Sequence, residues 1–210
     1  MTNPIPASPP AAIPSFKTRD PSSPEFWSER FAQDFTPWDK GGVPLALQDY
    51  VKRTVPTVTL IPGCGVGYEV AYFDNAGWDV TAIDFSPEAV SAAQVVLGPL
   101  GSHVLQADFF TFVPVKPLGM IYERAFLCAL PPAMRPAVVQ RWAELLPPGA
   151  ILAGFFFFDT NPKGPPFGID RTAQEQLLLP YFELLEDQPV TDSIPTFLDR
   201  ESWQVWRRRL

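Results

Sequence analysis

The stretch Leu60-Ile61-Pro62-Gly63-Cys64-Gly65-Val66-Gly67-Tyr68, with Asp84 seventeen residues beyond Gly67, decides how this chain folds. An apolar strand over 58–61 breaks into alternating glycines and runs on into a helix-like segment. A second apolar strand over 78–83 ends on the acid. Strand, glycine turn, helix, strand and acid form the order that a nucleotide-type cofactor needs. Glycines let the backbone approach a ligand where a Cβ would collide. An acid at the tip of the next strand accepts hydrogen bonds from two ribose hydroxyls. A glycine-rich turn without a ligand would satisfy the loop taken alone, and the acid argues against it.

The spacing then selects the cofactor. A dinucleotide fingerprint reads G-x-G-x-x-G, whereas these glycines fall as G-x-G-x-G with Tyr68 in the third-glycine position. That variant looks like the S-adenosylmethionine (SAM) loop of Rossmann-like methyltransferases.

At 210 residues the chain fits one domain with a substantial core, and 46% hydrophobic against 19% charged residues predicts that most of it folds. Its net charge of −7 disfavours nucleic-acid partners, which call for a basic face. The one dense basic run, Arg207-Arg208-Arg209, reads as a solvated end of the last strand. Cys64 and Cys128 lack C-x-x-C spacing, and His103 is the single histidine, so no metal site and no thiol–imidazole pair is predicted. His103 reads as structural. Two cysteines give no disulfide framework, which suits a reducing cytoplasm. The longest apolar run, 150–158, is strand-sized rather than membrane-spanning. The N-terminus lacks the basic-then-apolar pattern of a secretory signal.

Residues 1–24 hold seven prolines among Ala, Ser and Thr and predict an extended or disordered tail. A single domain over 25–210 follows, its first part (25–54) two helices around an ordered loop at 34–43. Thereafter strands are expected at 57–61, 78–83, 103–107, 119–126 and 150–158. Helices are expected at 68–76, 87–97 (capped by Ser86), 132–146 and 172–179, and final strands near 181–187 and 201–208. Such alternation predicts an α/β, Rossmann-like fold. Its seven-stranded sheet is mostly parallel with helices on both faces, and an antiparallel hairpin follows at the C-terminal end.

In open α/β sheets ligands bind beyond the carboxyl ends of the strands. Those ends carry Gly63 and Gly65, then Asp84, Asp108 and Arg124. Asp108, followed by Phe109, either accepts from an adenine amine with the ring against the base or caps the turn it precedes. Trp27 and Phe31 lie four apart on one helix face, with Trp38 in the loop beyond. They either form an ordinary apolar stripe or serve as an aromatic lid over the sulfonium of SAM, an attraction of about 0.5–2 kcal/mol when desolvated.

Phe26-Trp27-x-x-Arg30-Phe31 with Thr36-Pro37-Trp38-Asp39 resembles the N-terminal signature of the thiopurine S-methyltransferase family. So do Pro62-Gly63-Cys64-Gly65, Tyr122-Glu123-Arg124-Ala125 with Ala129-Leu130-Pro131-Pro132-x-Met134-Arg135, and Gly164-Pro165-Pro166-Phe167. The likeness extends over about 25–208 and is greatest to the branch of plant halide and thiol methyltransferases. It implies SAM contacts at Trp27, Phe31, Trp38, Gly63, Gly65, Asp84, Phe85, Asp108, Phe109 and Arg124. It also implies an acceptor side at Trp38, Arg124, Pro166 and Phe167, and S-adenosylhomocysteine as the by-product. Phe31 replaces a tryptophan common in the family, and Arg124 follows the thiopurine enzymes where the halide branch often has tyrosine.

What is absent shapes the expected chemistry. No Asn/Asp-Pro-Pro-Tyr/Phe motif follows strand 4, where amine methyltransferases hold their nitrogen; Gly164-Pro165-Pro166-Phe167 has that shape but falls after strand 5. A soft nucleophile that is already anionic needs no base, only alignment, a dry site and a positive partner. Arg124 is the candidate catalytic cation; the alternative is a structural arginine bridging Asp84 or Asp108. The expectation is therefore a cytoplasmic, monomeric SAM-dependent methyltransferase of a small thiol, hydrosulfide, thiopurine or halide. The alternatives are methylation of selenium, tellurium or arsenic species, and a SAM-binding protein without transferase activity.

Overall fold

The computed structural model describes residues 14–210, and among these, strands and helices alternate as the glycine-turn reading predicts. The strands are β1 (Val58–Pro62), β2 (Asp79–Asp84), β3 (Val104–Gln106), β4 (Met120–Arg124), β5 (Ile151–Phe157), β6 (Phe182–Pro189) and β7 (Glu201–Arg208). The helices are α1 (Pro24–Phe31), α2 (Leu45–Arg53), α3 (Tyr68–Asn75), α4 (Pro87–Leu97), α5 (Arg135–Leu145) and α6 (Arg171–Leu178). One sheet orders the strands β3-β2-β1-β4-β5-β7-β6. β1 through β5 pair in parallel, and β7 lies antiparallel between β5 and β6.

Pleating sends alternate side chains of each central strand to opposite faces, and each face builds its own core. Ile61, Met120, Tyr122 and Phe155 pack with Leu47, Val70, Phe73 and Val90 from α2, α3 and α4. Leu60, Ile121, Leu152 and Phe156 pack with Val138, Trp142 and Leu178 from α5 and α6. The chain leaves β1 toward β2 and β3, then returns to place β4 on the other side of β1. Side chains beyond the carboxyl ends of β1 and β4 therefore border a crevice, the place where such sheets take ligands.

Local chemistry sets the boundaries. Ser86 caps α4, its Oγ accepting from the Ala89 N–H at 3.2 Å, and Asp170 caps α6 through the Ala173 N–H at 2.9 Å. The expected helix at 132–146 divides into a 3-10 turn, Pro132–Met134, and α5, with Pro136 in the first turn. The expected strand at 103–107 shortens to β3, because the 3-10 segment Gly98–His103 reaches further, and His103 Nδ1 lies 2.9 Å from the Val80 carbonyl. β4 ends at Arg124 rather than 126, since Ala125 turns into the left-handed region (φ +56°). The C-terminal arginines are bound into the fold. Arg207 pairs with Glu183 (2.5 Å), Arg208 Nε donates to the Ala143 carbonyl, and Arg209 Nε donates to those of Leu179 and Phe182.

The first half of the expected tail, 1–13, lies outside the described residues. Residues 14–20 cross α1, where the Lys17 and Thr18 N–H groups donate to Glu29 Oε2 (2.8 and 3.0 Å). Arg30 lies over the rings of Phe16 and Phe26, 4.2 and 3.3 Å from their centroids.

Gly154 of β5 tests how tightly the sheet is built beside the crevice. A Cβ there would stand 1.9 Å from the Glu123 carbonyl oxygen, a backbone atom that no rotamer can move. Gly154→Ala is expected to cost about 3 kcal/mol or more of unfolding free energy, the upper range for overpacking. Urea unfolding followed by tryptophan fluorescence measures it, and a loss under 1 kcal/mol would mean that β4 and β5 yield easily.

Candidate functional site

The site begins with backbone geometry. Gly63, Gly65 and Gly67 adopt φ of +60°, +53° and +70°, so the loop after β1 reverses in three left-handed steps that side chains resist. A Cβ on Gly63 would also lie 2.6 Å from the Phe126 ring. The loop is tied to the neighbouring strand, with the Cys64 N–H on the Ile83 carbonyl at 3.1 Å. Gly67 then opens α3.

Asp84 completes the tie. Its Oδ2 accepts from the Gly65 N–H (3.1 Å) and its Oδ1 from the Ser86 N–H (2.9 Å), while the side chain is 7% exposed. Burial raises its pKa to about 6, held there against the pull of the Ser86, Gly65 and Phe85 N–H groups. No cation stands among these causes, so the carboxylate is ready to accept further hydrogen bonds.

A cavity of about 710 Å³ opens beyond the strand ends, within the range of a site for a cofactor and a small substrate. Its floor is the loop from Gly63 to Gly67 with Asp84 and Phe85. One wall is α1 and the loop after it: Trp27 and Trp38 meet edge to face at 5.3 Å, Phe31 and Trp38 at 6.1 Å. Asp108 and Phe109 border the end nearest β3. Asp108 does cap its own turn, Oδ1 accepting from the Phe110 N–H at 2.9 Å, so the capping role is real and one carboxylate oxygen is left over. Phe109 is 4% exposed and packs at 5.0 Å against Phe126.

Arg124 lines the opposite end. It bridges neither Asp84 nor Asp108; its Nη1 donates to Glu201 Oε2 at 3.2 Å, and its guanidinium lies 4.4 Å over the Phe155 ring. Nη2 is buried without a protein partner. Burial opposes its charge, but Tyr122, Glu201, Glu69 and Glu123 outweigh that cost and raise its pKa, so it stays cationic. The ring of Phe197 lies 5.8 Å from it, and Phe126, Leu130, Met134 and Pro166 add apolar lining to the same cavity.

Of the residues expected on the acceptor side, Trp38, Arg124 and Pro166 line the cavity and Phe167 does not. Phe167 sits behind the wall, its N–H donating to the Cys128 carbonyl (2.7 Å) and its own carbonyl accepting from Arg135 (2.9 Å). Phe126 and Glu69 are among the lining groups to which the sequence assigns no role. Glu69 follows the glycine turn in the first turn of α3, where acids are common for the helix dipole alone, so its type carried no distinguishing signal.

Asp84 links the site to stability. Its folded pKa of about 6 lies above the unfolded value of 3.8, so the folded state binds the extra proton between those pH values. The stability this proton provides is full below about pH 4 and is lost as pH rises through 6, a loss of about 3 kcal/mol. Asp84→Asn removes that loss, and the variant is expected to be more stable than the parent at pH 8 and near parity at pH 4. Denaturant unfolding at the two pH values measures the difference; equal differences would show that Asp84 titrates normally.

Comparison with known proteins gives the family and the fold. A model of the thiopurine S-methyltransferase (TPMT) family matches residues 22–209. Thiocyanate methyltransferase 1 of Arabidopsis thaliana is 28% identical over 190 residues, covering 87% of this chain and 84% of that protein. Probable thiol methyltransferase 2 of the same plant is 31% identical over 161 residues, covering 73% and 71%. Among solved structures, 1,6-didemethyltoxoflavin-N1-methyltransferase of Burkholderia thailandensis, determined with bound 1,6-didemethyltoxoflavin and S-adenosylhomocysteine, superposes with a TM-score of 0.68. At 18% identity, over 89% of this chain and 87% of that one, it speaks to the fold alone. The chain belongs to the thiopurine S-methyltransferase family of SAM-dependent methyltransferases.

Proposed function

We propose that the protein methylates a small, soft nucleophile that is anionic at the reacting atom, a thiolate or hydrosulfide foremost, by direct in-line displacement. The observation that carries this is Arg124: a buried cation that lines the cofactor cavity and keeps one nitrogen without a protein partner.

The cavity residues fit SAM. Asp84 would accept from the ribose hydroxyls, and the second Asp108 oxygen from the adenine amine, with Phe85 and Phe109 beside the base. Gly63 and Gly65 leave room along the loop. Trp27, Phe31 and Trp38 would face the sulfonium. When bound, SAM supplies an electrophilic methyl group on that sulfonium. Arg124 lowers the acceptor's pKa and orients it, while Phe126, Leu130 and Pro166 exclude water from the anion. Methyl transfer would use the acceptor sulfur's electron pair for the new bond and leave the pair of the broken bond on S-adenosylhomocysteine, so the acceptor would depart as a methyl thioether. Neither cysteine competes, because burial raises the pKa of both Cys64 and Cys128.

The aromatic wall beside the cavity comes from α1 and the loop after it, a lid of the chain's own that supports a monomer, and two free thiols support the cytoplasm. Among the described residues no helix is long and apolar enough to cross a membrane. The C-terminal arginines are engaged within the fold, which supports a small-molecule acceptor over nucleic acid.

The test pairs SAM with hydrosulfide, thiocyanate, iodide, a thiopurine and selenide, reading methylated products. Arg124→Lys keeps a cation for Glu201 but loses the second nitrogen. It is expected to lower turnover of the anionic thiol by about 10–100-fold, the range of a charge-assisted hydrogen bond, with SAM affinity changed less than about threefold. Equal losses in both would make Arg124 a structural residue. Product from selenium, tellurium or arsenic species alone would move the function to their methylation. Tight SAM binding with no product from any acceptor would leave a binding protein.

A further inference from the structure

The residues assigned above leave both charged groups of the cofactor's amino-acid end, its carboxylate and its ammonium, without a partner. We propose that Glu69 seats the ammonium. The proposal rests on the SAM reading and extends it to an atom that Asp84, Asp108 and the aromatic wall do not reach.

Glu69 stands two residues after the last loop glycine, lines the cavity and is 9% exposed. A carboxylate so placed needs donors, and one side chain supplies one: Tyr122 Oη donates to Oε1 at 3.3 Å, near the long limit of a hydrogen bond. Arg124 lowers the Glu69 pKa from across the cavity end, yet burial outweighs it and the net direction is upward. The guanidinium's direct ion pair is with Glu201, through Nη1, and not with Glu69. From the loop after α1, Asp39 also lines the cavity and adds like charge. Two carboxylates share this part of the wall, one of them buried with a neutral phenol as its side-chain donor. A primary ammonium between the glycine loop and β4 would give Glu69 a direct charge partner. It would also offset the repulsion from Asp39.

A purely structural Glu69, present to position Tyr122, predicts different behaviour, and a pair of ligands separates the two. S-Adenosylhomocysteine carries the amino-acid end; 5′-methylthioadenosine keeps the adenosine and thioether and lacks it. Titration calorimetry on Glu69→Gln, an isostere that still accepts from Tyr122, is expected to show about 10–100-fold weaker binding of S-adenosylhomocysteine. The affinity for 5′-methylthioadenosine is expected to stay within about threefold of the parent value. Glu69→Asp restores the charge on a shorter stem and is expected to recover part of the loss. Unchanged S-adenosylhomocysteine binding, or equal losses for both ligands, overturns the assignment. A rise confined to the acceptor's KM also overturns it, placing the ammonium on the acceptor. A parent protein that binds neither ligand refutes the cofactor reading itself.

Discussion

Asp84 holds two backbone N–H groups from two different loops, and the arrangement of the site depends on that grip. One, from Gly65, belongs to the loop after β1; the other, from Ser86, opens α4. The first can point at Asp84 because the glycines on either side turn left-handed. The second brings Ser86 into place, where its Oγ caps α4 and lies 3.1 Å from the hydroxyl of Ser28 on α1. α1 carries Trp27 and Phe31, so the aromatic wall is connected through two serines to the carboxylate below it. A buried acid without a cation is unfavourable on its own, since charge is costly to desolvate. Here the N–H groups offset part of that cost, and the remainder is kept as a raised pKa and an unfilled capacity to accept.

β4 sorts charge by pleat. Tyr122 and Arg124 share one face with α3, which brings them to Glu69 and the cavity, while Glu123 projects to the other. Glu123 is 1% exposed, and its Oε1 accepts from the Phe126 and Leu127 N–H groups, both at 2.9 Å. Burial lifts its pKa to about 7 despite those bonds and the more distant Arg124. The carboxyl thus holds the turn that follows β4, the same turn in which Ala125 takes φ +56°. A non-glycine residue held left-handed costs about 1–2 kcal/mol, and the two hydrogen bonds from the next two residues are what keep it there. The turn matters because it brings Phe126 over Gly63 and directs the chain along the acceptor side.

Most of the sheet was legible because its signals are local. Apolar runs of strand length, glycines at the turn and Ser86 before Pro87 each act within a few residues, so β1, β2, α4 and the C-terminal strand pair fall close to their expected places. Errors gather where distant partners decide. β4 stops early because the Glu123 side chain captures its own downstream backbone, a choice that residue type does not announce. Glu201 has no local mark at all; it becomes the partner of Arg124 only because β7 inserts beside β5 and carries its first residue back to the end of β4. Phe167 failed for a related reason. Resemblance puts the segment Gly164-Pro165-Pro166-Phe167 on the acceptor side, but sequence does not say which residues of an irregular loop reach the cavity, and Phe167 is not among those that line it.

The finished cavity is electrically divided, and the division explains how two reactants of opposite character share it. Toward β2 and α3 it presents Asp84, Glu69 and Asp39, carboxyl groups suited to a sulfonium compound that carries an ammonium. Toward β4 it presents Arg124, a buried cation suited to a soft anion. Cys64 makes the division plain. It lines the carboxylate side, and its thiol is raised well above its ordinary value by burial, then by Asp84 and Glu69. Thiolate is therefore suppressed beside the carboxylates, in the protein's own side chain. Burial raises the Cys128 thiol as well, but there Arg124 pulls the other way, so at that end of the cavity Arg124 is the charged group that favours an anionic sulfur.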